Sequence, residues 1–72
     1  MRIIIYNYKG VVMNFKEIEK IIKNDGWFYF STIGSHQHYK HSEKKGKVTI
    51  PLHKGDIPKG TINSILKQAG LK

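Results

Sequence analysis

Residues 27–52 of this 72-residue chain form a block of strand-type sequence, bracketed on both sides by helical periodicity. No other feature limits the possible folds as much. Before the block, Asn14 and Glu17 have the spacing of a capping box, with Asn14 as N-cap and Glu17 at the third helical position. Phe15, Ile18, Ile21 and Ile22 then share one helical face, and Asn24-Asp25-Gly26 supplies a stop. The spacing predicts a helix over 15–24. After the block, Thr61 is read as an N-cap, Ile62, Ile65, Leu66 and Ala69 as the apolar face, and Gly70 as the stop.

Inside the block, Trp27 to Thr32 is rich in aromatic and β-branched residues and reads as a first strand, broken by Gly34. Ser35 to His41 reads as a second, more polar strand, and Glu43-Lys44-Lys45-Gly46 as a hairpin turn. Lys47 to Leu52 is the third strand, with Val48, Ile50 and Leu52 on one face and Lys47 and Thr49 on the other. Pro51 puts that end at a sheet edge or outside the ladder. His53 to Lys59 is a polar connection. The order is αβββα, and the simplest α+β architecture is a three-stranded antiparallel sheet with both helices on one face. The other sheet face then meets solvent.

A chain of this length is one small domain, burying roughly 60% of its unfolded surface. It has no cysteine, so neither a disulfide framework nor a thiolate zinc site can reinforce it. Its longest apolar stretch, Ile3-Ile4-Ile5-Tyr6, is too short for a membrane span or a signal-peptide core. Residues 1–12 differ in character from the rest and read as a leader or weakly ordered extension. Met13 is then the natural initiator, because Lys9-Gly10-Val11 is compatible with codons that place a ribosome-binding sequence just ahead of it. The other reading of this segment is an added edge strand from Ile3 to Tyr6.

The net charge of +8 is unevenly placed. Over 13–30, Lys16, Lys20 and Lys23 cancel Glu17, Glu19 and Asp25. Over 31–72, eight lysines face only Glu43 and Asp56, a net +6, and all four histidines lie there. A one-sided basic excess suits nucleic acid or another polyanion.

Strand alternation puts His36, His38 and Lys40 on one face and Ser35, Gln37, Tyr39 and His41 on the other. Tyr39 is the best core candidate, so His36, His38 and Lys40 are expected on the open face, with Lys47 and Thr49 extending it. Three readings of these side chains stay open on the residues alone. One is acid–base chemistry on RNA, in which a neutral imidazole takes the proton of a 2′-hydroxyl and lysines stabilise phosphate charge. A second is a metal site on His36 and His38, which lacks the three or four ligands zinc requires, since only Glu43 lies nearby. The third is a set of polar strand residues that contact only phosphate or water.

Several elements together resemble the HicA-type toxins, the mRNA-interferase half of type II toxin–antitoxin pairs. They are Gly26-Trp27, Gly34-Ser35-His36 with Tyr39, and Val48-Thr49-Ile50-Pro51 with His53. Gly60-Thr61 and Ile65-Leu66-Lys67-Gln68-Ala69-Gly70 complete the set. These elements stand in family order across nearly all of Met13 to Lys72. The resemblance implies a fold like that of double-stranded-RNA-binding domains, ribosome-independent cleavage of mRNA and a catalytic histidine at His36. It also implies a HicB-like antitoxin partner. A cytoplasmic setting is expected, since a chain without cysteine suits a reducing compartment. Ser35, His38, Lys40 and Lys47 are the expected RNA contacts, and neither a cofactor nor a metal is expected. The chain departs from the family in one respect. Ser31-Thr32-Ile33 precedes Gly-Ser-His where a basic residue is typical, and Met13 to Lys72 contains no arginine. Phosphate contacts therefore fall to lysine, a point charge rather than a bidentate fork. The alternative function is a non-catalytic module that binds double-stranded RNA.

Overall fold

The first helix forms where its capping box predicts. In a computed structural model that describes residues 12–72, α1 spans Phe15–Asn24. The Asn14 side-chain oxygen accepts from the Glu17 N–H at 2.9 Å, and Glu17 Oε1 accepts from the Asn14 N–H at 2.8 Å. Gly26 ends the helix at φ +106°, and a Cβ there would lie 2.6 Å from the His41 ring nitrogen Nε2. Both the backbone angle and the close approach therefore require glycine. The reading of residues 1–12 as a leader, and of Ile3 to Tyr6 as a strand, falls outside the described residues except for Val12, which is exposed.

A short strand, β1 (Met13–Asn14), precedes the helix. Then come β2 (Trp27–Ile33), β3 (His36–His41) and β4 (Val48–Pro51), a three-stranded antiparallel sheet in the order β2-β3-β4. A second short strand, β5 (Asp56–Ile57), pairs with β1 through Met13↔Ile57 and Asn14↔Asp56, and α2 (Lys59–Gln68) follows. The expected α+β layering holds. Ile18 and Ile22 of α1 pack in one core with Trp27, Tyr39, Val48 and Ile50 of the sheet and with Ile62, Ile65 and Leu66 of α2. Ala69, just past α2, belongs to the same core, and so do Met13 and Ile57 from the small ladder. Gln68 closes the outer edge of β4, where its side-chain oxygen accepts from the Thr49 N–H at 2.8 Å; unpaired strand edges otherwise invite association. No helix among the described residues is long and apolar enough to cross a membrane.

The structure corrects the sequence reading at several points. α2 starts two residues before Thr61, with Pro58 as N-cap, and the Pro58 carbonyl accepts from the Ile62 N–H at 3.0 Å. Proline fixes the entry angle and needs no donor there, so no side-chain cap is used. Leu52 does not continue the apolar face of β4. It is 45% exposed, because the strand ends at Pro51 and the Leu52 N–H turns to the Ser35 carbonyl at 2.7 Å. Lys47 and Ser35 both lie just outside the strands assigned to them. The polar connection from His53 contains β5, whose Ile57 is buried.

Candidate functional site

Gly34 and Ser35 are the whole connection between β2 and β3, since Ile33 pairs directly with His36. Gly34 has φ +61°, and no non-glycine residue among the described ones has a positive φ. A positive angle at the first central position alone is the pattern of a type II′ hairpin, which matches the twist of the strands it joins. The turn therefore sets His36 as the first residue of β3, flanked by Ile33 on β2 and Pro51 on β4. Its side chain is exposed, and among the described residues it makes no hydrogen bond or ion pair.

His38 shares the face and is held differently. Its Nδ1 lies 2.9 Å from the Thr49 hydroxyl, and its rung runs Ser31–His38–Thr49 across the sheet. That contact uses one ring nitrogen and leaves Nε2 for a ligand. Lys40 also faces outward, with its ammonium 4.9 Å from the centre of the Phe30 ring, a cation–π contact. Lys47 is exposed in the connection before β4, and Ser35 is exposed in the turn. The structure thus brings His36, His38 and Lys40 onto one open face as expected, with Ser35 and Lys47 at its margins.

One arrangement on this face depends on the strand register. Tyr29 pairs with Tyr39, yet Ser31 pairs with His38, so Phe30 is the extra residue of a β-bulge. A bulge shifts side-chain parity along its strand. Before it, Phe28 stands opposite Lys40 and Phe30 leans on the same lysine. After it, Ser31 and Ile33 face outward opposite His38 and His36. Phe28 and Phe30 are consequently 50% and 57% exposed on the histidine face. The alternation of aromatic residues at 28 and 30 was the available signal, but the run Trp27 to Phe30 hides it, because only Trp27 of the four is buried.

The opposite face of β3 is fully engaged. The Tyr39 hydroxyl meets Glu19 Oε2 at 2.5 Å and Gln37 Oε1 at 3.1 Å. Burial, then the hydrogen bond to Glu19 and the charge of that carboxylate, hold this phenol protonated well above its ordinary range. His41 Nδ1 accepts from the N–H groups of Glu43 and Lys44 at 3.0 and 3.1 Å, which leaves Nε2 as the donor to the Asp25 carbonyl at 2.7 Å. His41 also meets Trp27 edge-on, with ring centres 5.1 Å apart. It is a structural histidine.

His53 stands apart from the sheet-face histidines. With Phe15, Lys16, Leu52 and Lys54 it lines an open depression of about 630 Å³, which adjoins the turn through the Leu52–Ser35 hydrogen bond. Among the described residues, no three His, Cys, Asp or Glu side chains come together as a metal-ligand set.

With this geometry in place, comparison with known proteins adds one result. The pattern of a protein family described as "HicA toxin of bacterial toxin-antitoxin" matches residues 15–71, which is most of the chain. No curated protein matches it.

Proposed function

This chain belongs to the HicA toxins of bacterial toxin–antitoxin systems, and we propose that it acts as an endoribonuclease on messenger RNA with His36 as the acid–base group. The observation that carries this reading is the free, exposed imidazole of His36, fixed by a two-residue turn on an open sheet face, with His38 and then Lys40 further along the same strand face. In the proposed reaction, neutral His36 takes the proton of a ribose 2′-hydroxyl and the 2′-oxygen bonds to the adjacent phosphorus. The bond from phosphorus to the 5′-oxygen breaks, and that oxygen takes up a proton at this solvent-exposed site. The products are a 2′,3′-cyclic phosphate and a 5′-hydroxyl. Lys40 and Lys47 lie further along the sheet and meet phosphates of neighbouring nucleotides, while Ser35 and His38 hold the strand near the reacting one. None of these steps uses a metal.

A toxin of this family implies an antitoxin. In this reading the partner is HicB-like and presents an acidic or polar surface to the same basic face, so it competes with RNA. The cytoplasm is where message and antitoxin would meet the toxin.

Expression of the His36→Ala variant tests the reading. Growth inhibition should disappear while the variant still folds and still binds its antitoxin; undiminished toxicity removes His36 from the mechanism. Cleavage should persist in excess EDTA, and activity restored only by added zinc would overturn the metal-free route. Single-stranded message should be cut in preference to duplex. Tight duplex binding without cleavage would instead favour the double-stranded-RNA-binding module.

A further inference from the structure

The bulge at Phe30 leaves two aromatic rings in an unusual position. Phe28 and Phe30 are large, half-exposed and on the histidine side of the sheet, whereas Trp27 of the same run is buried on the helix-covered side. Lys40 lies between them in the register, opposite Phe28 and over the Phe30 ring. Rings with a cation beside them, on the face that also carries His36 and His38, suit a ligand that has both a flat apolar surface and a negative charge. Nucleotides have both. A base stacks on the ring, and its phosphate meets the lysine. The Lys40 ammonium at the rings, with exposed Lys47 at the margin of the face, favours an anionic strand over a neutral apolar partner.

We infer that Phe28, Phe30 and Lys40 form a base-stacking subsite for unpaired RNA, which positions the strand so that a neighbouring phosphate reaches His36. This inference rests on the RNA-cleavage reading and adds the residues that would select single strands. Lys40 is four steps along β3 from His36, about 13 Å at ~3.3 Å per residue. The subsite and the imidazole therefore hold different nucleotides of one strand. Paired bases are stacked on each other and cannot offer a face to the rings, so the subsite discriminates against duplex by geometry.

The test uses the full chain carrying His36→Ala, so that bound RNA stays intact, and measures the affinity of a short, fluorescently labelled, unstructured oligoribonucleotide. Phe28→Ala and Phe30→Ala should each weaken binding about tenfold or more. Phe30→Trp should retain affinity, and Phe30→Leu, which keeps bulk but loses the aromatic face, should not. An abasic oligomer of the same length should bind weakly and should not distinguish the variants. Thermal melts should stay within a few degrees of the parent, because both rings are exposed. In the His36-intact chain, the two alanine variants should raise KM for single strands more than they lower kcat.

Unchanged affinity in folded Phe28→Ala and Phe30→Ala variants overturns the subsite. So does an equal loss on the abasic strand, or a loss confined to antitoxin binding. If the unaltered chain cleaves RNA and only these losses fail to appear, the subsite falls and the nuclease reading stands. If the unaltered chain neither binds nor cleaves RNA, both fall.

Discussion

The two faces of β3 make opposite use of similar residues. Gln37, Tyr39 and His41 point to the helix side, and each is tied down by hydrogen bonds to a neighbour. His36 and Lys40 point to the open side with no hydrogen bond from their side chains, and His38 has one contact, to Thr49. His36 and His41 sit on the same strand, and the residue type does not separate their roles. The difference lies in what each ring nitrogen already has. A histidine with both nitrogens occupied holds the fold, and one with both free can take and return a proton.

The largest effect should come from the covered face. Tyr39→Ala should destabilise the domain by about 3–5 kcal/mol, as expected for an aromatic removed from a core, and a urea titration would read this. A loss under about 1 kcal/mol would mean that the core does not depend on Tyr39. His41→Ala should follow at about 1–3 kcal/mol, since it removes the hydrogen bonds to Asp25, Glu43 and Lys44 and the edge contact with Trp27. In the same assay His36→Ala should change stability by no more than about 0.5 kcal/mol while removing cleavage. Equal destabilisation by the two substitutions would erase the contrast between the faces.

Alkaline titration sharpens the comparison without substitution. The folded state holds the Tyr39 phenol above its ordinary value of 10.0. The unfolded chain therefore ionises first as pH rises. The contribution of this group is complete below pH 10.0 and is lost progressively above it. The melting temperature should fall on raising the pH past that value, and Tyr39→Phe should flatten the fall. The smallest effect should come from the margin of the open face. Lys47→Ala should weaken RNA binding uniformly across sequences and reduce the magnitude of its salt slope by about one, with no change in the melting temperature.

Much of this arrangement was readable from residue order. The capping box at Asn14 and Glu17 marked the start of α1 to the residue, because side-chain capping leaves a fixed spacing. Alternation placed Tyr39 inside and His36, His38 and Lys40 outside. The unread features share a cause: none leaves a residue period of its own in the sequence. Met13 and Asn14 become a strand only because Asp56 and Ile57 return beside them, and two residues carry no period. Thr61 looks like a cap, but the chain enters α2 from Pro58. The open nitrogens of His36 and the occupied ones of His41 cannot be told apart until the turn at 42–47 closes over the latter. The bulge at Phe30 inserts one residue on β2 only, which no pattern within β2 announces.

That bulge has a practical consequence for probing the molecule in solution. The chain has no cysteine, so one introduced thiol can be labelled uniquely. Because parity reverses at Phe30, positions 28, 31 and 33 would carry a dye on the histidine face, and positions 29 and 32 would carry it on the other. A spacing rule of two applied through the whole strand would put the probes at 31, 32 and 33 on the wrong side. Probes at 31 and 32, adjacent in sequence, would then give opposite responses to RNA: one quenched or shielded on binding, the other unaffected.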